Sequence, residues 1–325
     1  MDSSSNGPMR DLPNPGGDAD TPTTDAATLS RRQWVAAAAF GGLAGAAATA
    51  DPARAATAAG KDDAAPAGTA DARIAALEQQ LATLHRETER AQARGAIENV
   101  FNRYQYLHTA FRDPEIITDL WVKKGTPGIT AQYTNTGVYN TWDSVMAYHR
   151  NRPNPVGKLL VHINACPVIE VAADGRSAKG LWMMSGVESG LTTLEHAKNA
   201  PEAFFEPGLV DGKKVWAHWV QCRYGLDFLK QDGEWRIWHF RCVEVSRAPF
   251  SQNWIAFAAT LQANQATQKF HNDLAYFGDD GKPVFMPPVD APPKSLAYPY
   301  QTNRPTLLEP ALPKPYRSFS ETFEY

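Results

Sequence analysis

Three side chains with proton-transfer chemistry fall in segments that the sequence predicts to be buried. Tyr104 and His108 are one helical turn apart in the stretch YQYLHTAF, so they share a face of the predicted helix. His162 follows the apolar run Leu-Leu-Val in a predicted strand. A neutral imidazole can accept or donate a proton near neutral pH, and a neighbouring phenol can stabilise an oxygen that gains charge. The pattern therefore predicts acid–base chemistry, with hydrogen-bonded core packing as the alternative for each side chain.

The helix that carries Tyr104 and His108 is predicted to follow an exposed helical arm. Charged residues separate the apolar positions of this arm, residues 73–94, which predicts an amphipathic helix that can self-associate. Gly95 offers a point at which the helix can break or kink. The apolar positions of the arm are Ile74, Leu77, Leu81 and Leu84.

The remaining pattern predicts further helices and then strands. Asp113 and Pro114 indicate the start of a second helix, with Asp113 as its N-cap. After another strand and helix, a period of two predicts two strands that meet near Asp174 and two longer strands joined by an Asp232-Gly233 hairpin. This order predicts an α+β fold, with helices packed on one face of a curved sheet. A doubly wound nucleotide-binding fold is disfavoured, because no P-loop and no G-x-G-x-x-G motif after a strand occurs.

The first part of the chain has the composition of an export leader. Residues 1–72 are rich in small and polar residues and poor in aromatic ones, which predicts disorder. Arg31 and Arg32 precede an Ala-rich apolar run and Ala-x-Ala cleavage sites, a pattern typical of twin-arginine signals. The run is too short and too rich in Ala and Gly to predict a membrane span. We predict a signal region over residues 1–55, a disordered linker over residues 56–72 and a periplasmic or secreted protein. A chance Ala-rich tail is the alternative.

Charge and cysteine content exclude several classes of protein. The formal net charge is −3 and no basic tract occurs, so nucleic acid is not a predicted partner. Cys166, Cys222 and Cys242 show no C-x-x-C spacing, and no set of His and carboxylate residues has ligand spacing. The sequence therefore predicts no metal site and no organic cofactor.

The last predicted hairpin contains two of the three cysteines, Cys222 and Cys242, one on each strand. If residues 231–233 form a three-residue loop, Cys222 stands directly opposite Cys242. A bulge or a two-residue loop would shift this register by one residue. The two side chains are predicted to form either a disulfide or a pair of buried thiols.

Three segments of the sequence resemble one known superfamily. These are IENVFNRYQYLHTAFRDPEIITDLW, LLVHINACPVIEVAADGRSAKGLWMMSG and CRYGLDFLKQDGEWRIWHFR. They resemble the SnoaL-like branch of the NTF2-like superfamily, here over residues 95–250, with a C-terminal helix and Pro-rich extension over residues 251–325. The resemblance implies a cone in which a curved antiparallel sheet, with helices on its concave face, encloses one pocket.

The resemblance also implies roles for particular residues. The branch with scytalone dehydratase and bile acid 7α-dehydratase has a Tyr on the first helix and a His on the strand after the third helix, which correspond to Tyr104 and His162. That branch has an Asp one turn after the Tyr, where this sequence has His108 and Thr109. No acid or His stands near Ser185, where a second polar residue is expected. These departures leave room for a different proton-transfer reaction.

The sequence and the resemblance together predict a cofactor-independent lyase, dehydratase-like or C–C cleaving. Its substrate would be a small hydroxylated aromatic or polycyclic compound, and the predicted catalytic residues are His162, Tyr104 and His108. A non-catalytic exported binding protein and an isomerase or polyketide cyclase are the alternatives. We also predict a homo-oligomer, a dimer or a trimer, with no stable membrane insertion. The predicted substrate-binding residues are Asn164, Tyr224, Tyr133, Trp182 and Cys222.

Overall fold

A long helix lies across one face of a curved, unclosed sheet in the computed structural model of the chain. The predicted signal region, residues 1–55, and the predicted linker as far as residue 68 lie outside the residues that the structure describes. Parts of the predicted C-terminal helix and extension also lie outside them. The described residues are 69–133, 137–150, 152, 156–198, 200–263, 276–277, 283–284, 287–294, 299–322 and 324–325.

The helices and strands are numbered here in chain order. The α-helices are α1 (Ala70–Thr109), α2 (Asp113–Asp119), α3 (Trp142–Arg150), α4 (Leu194–Ala197) and α5 (Trp254–Ala263). The strands are β1 (Thr130–Gln132), β2 (Val138–Tyr139), β3 (Leu159–Val171), β4 (Ser177–Thr192), β5 (Leu209–Val210), β6 (Lys213–Gln231), β7 (Glu234–Pro249), β8 (Tyr276–Phe277) and β9 (Pro283–Val284). Two 3-10 helices span Glu202–Phe204 and Phe319–Glu321.

The main sheet has the order β2-β1-β7-β6-β4-β3, with β5 paired to β6. Strand β1 runs parallel to β7, and the other neighbouring pairs are antiparallel. The sheet is therefore mixed, where the prediction was an antiparallel sheet. The α+β class and the NTF2-like cone are confirmed. Among the helices of the described residues, none is both long and apolar enough to cross a membrane.

The hairpin between β6 and β7 differs from the predicted register. Asp232 and Gly233 form a two-residue loop with φ angles of 50° and 83°, and a bulge nearer the centre of the strands shifts the pairing again. Cys222 therefore lies opposite Glu244, and the predicted pairing with Cys242 is wrong. Both cysteines are buried free thiols.

Aromatic packing joins α1 to the inner face of the sheet, which is the face that α1 contacts. Ile97, Phe101 and Tyr104 are buried along one stripe of the helix. The Phe101 ring centroid lies 4.6 Å from that of Trp182 and 5.2 Å from that of Tyr224. Buried side chains of this size each stabilise the fold by about 1.5–3 kcal/mol. This packing fixes the angle at which α1 crosses the sheet, and with it the positions of Tyr104 and His108.

The last described residues of the C-terminal extension, from Leu307 onwards, contact the outer face, opposite α1, whereas residues 287–291 lie along β2. Arg223 donates a hydrogen bond to the Leu307 carbonyl over 2.8 Å, and the Tyr325 backbone N–H donates to Asp227 Oδ2 over 3.1 Å. The Tyr325 ring lies directly against Gly225, where a Cβ atom would come within 2.7 Å of it. Because Asp227 and Gly225 point away from α1 by strand alternation, this last part of the extension covers the back of the sheet.

Candidate active site

Asp113 is a buried carboxylate held between two imidazoles. Thr109 ends α1 and Phe111 adopts a positive φ of 57°, so the chain reverses and α2 begins beside the last turn of α1. Asp113 Oδ1 accepts hydrogen bonds from His108 Nδ1 at 2.9 Å and from His149 Nδ1 at 3.1 Å. Its side chain makes no cap bond, because Arg112 occupies the N-cap position. The predicted N-cap role of Asp113 is therefore wrong.

His149 links Asp113 to an aromatic pair. Because its Nδ1 donates to the carboxylate, its Nε2 accepts the hydrogen bond of the Tyr133 hydroxyl at 2.9 Å. The Tyr133 ring is stacked on Tyr148 with centroids 3.8 Å apart, and Arg152 donates to the Tyr148 hydroxyl over 2.8 Å. These contacts fix the ring orientation of His149 and keep a cation near Asp113.

His162 is oriented by a second carboxylate, on the neighbouring strand β4. Its Nε2 donates to Glu188 Oε1 over 3.0 Å, and the other Glu188 oxygen accepts a hydrogen bond of 2.8 Å from Arg247. Arg247 also donates to both oxygens of Glu244, so it is buried between two carboxylates. In the neutral His162 ring, Nδ1 is then the acceptor nitrogen, and it is buried with no hydrogen-bond partner.

The predicted catalytic side chains lie side by side. The His108 and His162 ring centroids are 5.9 Å apart, and the Tyr104 ring is stacked on His108 at 5.7 Å. Asp113 Oδ2 is also buried with no hydrogen-bond partner. The His108 and His162 rings, each hydrogen-bonded through one nitrogen to a carboxylate, are therefore neighbours.

Burial and charge set the protonation states at this cluster. Burial, with the Arg152 guanidinium, lowers the pKa of His108 to about 4, and burial also lowers the pKa of His149. Burial alone would raise the pKa of Asp113, but His108 and Arg152 hold it well below its usual range. Burial raises the pKa of Tyr104 well above its usual value. Near neutral pH the cluster thus contains an ionised carboxylate, neutral His108 and His149 rings and a protonated phenol.

The match to a family model covers the elements that build this cluster. Residues 89–241 match a model described as a SnoaL-like domain. This part of the chain is a SnoaL-like domain of the NTF2-like superfamily. The matched residues run from the middle of α1 into β7, so Asp113, His162 and Glu188 all belong to the SnoaL-like domain.

Solved structures with a similar fold include two from Novosphingobium species. A protein of Novosphingobium aromaticivorans, provisionally described as a scytalone dehydratase, shares 12% identity over 52% of this chain and 94% of its own, with a TM-score of 0.37. The hexachlorocyclohexane dehydrochlorinase LinA-type3 of Novosphingobium barchaimii shares 13% identity over 51% of this chain and 96% of its own, with a TM-score of 0.36. At such identities the similarity concerns the fold and not the reaction. No curated protein matches the sequence.

The predicted substrate-binding residues divide between the cluster and the core of the SnoaL-like domain. Tyr133 belongs to the cluster through its bond to His149. Asn164 is on the same side of β3 as His162, and its Oδ1 is buried without a hydrogen-bond partner. The other three lie deeper, in the hydrophobic core, and their predicted role in binding is untested. They are Trp182, Cys222 and Tyr224, whose hydroxyl accepts a hydrogen bond from Gln105.

Four functional side chains were not predicted from the sequence. Three of them reach the cluster through contacts between elements that are distant along the chain. Only Asp113 carried a local signal, since a carboxylate five residues after His108 can face it once the chain reverses. In the described residues no group of three or more His, Cys, Asp or Glu side chains is arranged to hold a metal ion. The four unpredicted residues are Asp113, His149, Glu188 and Arg247.

Proposed function

We propose that the chain is a cofactor-independent lyase that acts by acid–base elimination on a small hydroxylated aromatic or polycyclic compound. The observation that carries the proposal is the environment of His162. Its Nε2 is held by Glu188 at 3.0 Å, while its Nδ1 is buried and has no partner. A general base needs a fixed ring orientation and one nitrogen available for the substrate proton, and His162 meets both requirements.

A dehydration at this site can be written with His162 as the only proton carrier. Nδ1 takes a proton from the carbon next to the one that bears the hydroxyl, and the C–O bond breaks as the C=C bond forms. Glu188 stabilises the charged imidazolium, which returns the proton to the departing hydroxide as water. Protons and charge balance, so this reaction needs no co-reactant. For a C–C cleavage, Nδ1 would instead take the proton of a substrate hydroxyl, the C–O bond would become C=O as the adjacent C–C bond breaks, and the departing carbon would take the electron pair and receive the proton back from His162.

His108 and Tyr104 are suited to holding the substrate oxygen. Asp113 keeps the Nδ1 proton of His108, so His108 Nε2 can accept a hydrogen bond from a substrate hydroxyl. Tyr104 retains its proton, because burial raises its pKa well above the usual value. Its hydroxyl can therefore donate a hydrogen bond to an oxygen that gains negative charge in the transition state.

The substrate class follows from the side chains around the two imidazoles. Tyr104, Tyr133 and Phe240 surround the cluster with ring faces, and the Tyr133 and Phe240 centroids are 5.1 Å apart. Aromatic side chains favour flat apolar molecules, and the polar atoms of the cluster favour hydroxyl groups on them. A hydroxylated aromatic or polycyclic compound combines both features.

The proposal includes export of the protein from the cytoplasm. The Arg31-Arg32 pair and the Ala-rich run behind it support export through a twin-arginine route to the periplasm or beyond. We further propose that the exported protein is a homo-oligomer.

The test is turnover of a panel of hydroxylated aromatic and polycyclic compounds by the purified protein, followed by mass spectrometry. Loss of one water, or cleavage into two fragments, is expected for at least one class of compound. His162→Gln should reduce kcat at least about 10²-fold, as is usual for the loss of a positioned base. His85→Gln is the control, since the His85 side chain is 72% exposed on the arm.

Two results would contradict the proposal. Compounds that raise the Tm of the protein but are recovered unchanged would favour the non-catalytic binding protein. Unchanged turnover in a folded His162→Gln variant would remove His162 from the mechanism.

A further inference from the structure

The first half of α1 projects away from the SnoaL-like domain. Every residue from 69 to 89 is exposed, and the first contacts of the helix with the sheet are those of Arg90 and Arg94, which donate to carbonyls of β3. About 20 residues of helix extend roughly 30 Å at 1.5 Å per residue. The predicted arm, residues 73–94, thus projects as far as residue 89, and the name arm refers from here to the projecting residues 70–89.

No packing against the described residues of the SnoaL-like domain stabilises the helical conformation of the arm. The docked half of α1 supplies the helix nucleus, so the arm is stabilised only by the small free energy that propagation adds per residue. Its aliphatic side chains are also left in solvent, with exposed fractions of 53% for Ile74, 63% for Leu77, 68% for Leu81 and 60% for Leu84. A second helix packed on the arm would bury these side chains and stabilise the helical conformation.

The spacing of these four residues specifies what kind of partner fits. Successive intervals of three, four and three residues place Ile74 and Leu81 at heptad position a, and Leu77 and Leu84 at position d. An a/d seam buries its side chains as knobs in the holes of another helix that carries the same repeat. The same arm of a second copy provides that repeat with identical spacing.

The charges beside the seam are complementary in a parallel arrangement. In a parallel pair, Arg73 at position g faces Glu78 at position e of the second copy, and this attraction occurs on both sides of the seam. An antiparallel pair centred between Leu77 and Leu81 would place Glu78 against Glu78 of the second copy, which is repulsive, and Arg73 beside Glu87, which is attractive. In the first heptad, Ile74 at position a with Leu77 at position d is the combination that favours two strands over three, whereas Leu81 at the second a position adds no such preference.

We infer that the arm is a dimerisation element, in which residues 74–84 of two copies of this chain form a parallel coiled coil. The contact is short, with two heptads of apolar seam, so it pairs chains without fixing the angle between their SnoaL-like domains. The inference does not depend on the proposed lyase activity, because Asp113, His162 and Glu188 are remote from the arm along the chain and belong to the domain.

Disulfide trapping in the full chain tests the pairing and its direction. In a Cys166→Ser background, which removes the exposed native thiol, Leu84→Cys should give a disulfide-linked dimer on mild air oxidation, seen by non-reducing electrophoresis. Gln79→Cys is the matched control, because position 79 is at f and faces away from the seam. It should remain monomeric on the gel.

A charge in the seam tests whether the trapped contact depends on apolar packing. Adding Leu81→Glu to the Leu84→Cys variant should abolish the crosslink, whereas adding Gln79→Glu should leave it unchanged. Absence of a Leu84→Cys crosslink overturns the inference, as does equal crosslinking of Leu84→Cys and Gln79→Cys. A crosslink that forms only when Ile74→Cys and Leu84→Cys are combined shows an antiparallel pair and overturns the parallel arrangement.

Discussion

Glu188 holds His162 with one carboxylate oxygen and Arg247 with the other, so a single side chain on β4 couples the proposed base to a buried cation. The two contacts measure 3.0 and 2.8 Å. Burial alone would lower the pKa of Arg247, but Glu188 and Glu244 raise it above its usual value, so a charged guanidinium lies beside the Glu188 carboxylate. Glu188 is therefore a positioning residue, which acts on the substrate through His162.

Replacing Glu188 with Gln should lower kcat more than it changes KM. Gln can still accept the His162 Nε2 hydrogen bond, but it provides no negative charge for the imidazolium that forms during the reaction. We expect kcat to fall about 10- to 10²-fold, within the range for loss of acid–base assistance. Steady-state kinetics on the substrate identified by the panel measures both constants.

Glu244→Gln is the matched control for this effect. It removes a carboxylate from the same arginine, Arg247, but Glu244 makes no hydrogen bond to His162. Both variants should lower the Tm, because each leaves a buried guanidinium with one counter-charge fewer. Equal losses of kcat in the two variants would show that Glu188 acts through stability and not through His162.

The stability of the folded chain should decrease between pH 6.5 and 4, and His108 should account for part of the decrease. Burial lowers the pKa of His108 from 6.5 to about 4, so in this interval the unfolded ring binds a proton that the folded ring does not. The stabilisation is therefore complete above the unfolded value and is lost as the pH falls towards the folded one. The slope should be on the order of 1 kcal/mol per pH unit for each such histidine.

His108→Gln should flatten this slope without abolishing it. Gln can donate to Asp113 and does not titrate, while His149 still titrates with a lowered pKa. Asp113 contributes at lower pH, since its pKa is depressed and its stabilisation is lost only below the ordinary carboxyl range. Urea unfolding at several pH values measures the slope, and His85→Gln should leave it unchanged. An identical slope in His108→Gln and wild type would contradict the lowered pKa.

Local periodicity and capping signals were sufficient to predict α1, α2, α3 and α5, most strands and the three proton-transfer side chains, but not the short helix α4. Tyr104 and His108 follow from a helical repeat, and His162 from strand alternation, because both patterns depend only on neighbours in the sequence. The superfamily resemblance provided the arrangement of these elements. Neither source could place side chains whose partners depend on irregular backbone.

Glu188 illustrates this limit. A bulge in β3, where Cys166 has a φ of 53°, shifts the register between β3 and β4 by one residue. His162 consequently lies opposite Gly186, which puts Glu188 on the same face. Without the bulge His162 would face Val187, and Glu188 would point to the other side of the sheet. No pattern in the sequence predicts that extra residue.

Export should depend on the paired arginines. Lysine keeps the charge of Arg31 and Arg32 but does not reproduce the twin-arginine signal, so the double change Arg31→Lys and Arg32→Lys should retain the protein in the cytoplasm of a bacterial host. Cell fractionation and immunoblotting measure its distribution, with Arg10→Lys as the control. Equal export of the double variant and the wild type would exclude this route.

Gly186→Ala should disturb the proposed base directly. A Cβ atom at position 186 would come within 2.2 Å of the Val161 carbonyl oxygen and 3.0 Å of His162 Cδ2, so β3 and the His162 ring must move away. Overpacking of this kind typically costs about 1–3 kcal/mol, and the displaced ring should reduce kcat as well as the Tm. Gly95→Ala is the matched control, because nothing lies within 4 Å of its added Cβ. In the middle of α1 that change should stabilise the protein by about 0.5–1 kcal/mol and leave kcat unchanged. A Gly186→Ala variant with wild-type Tm and kcat would show that β3 and β4 are not packed as closely at His162 as the register requires.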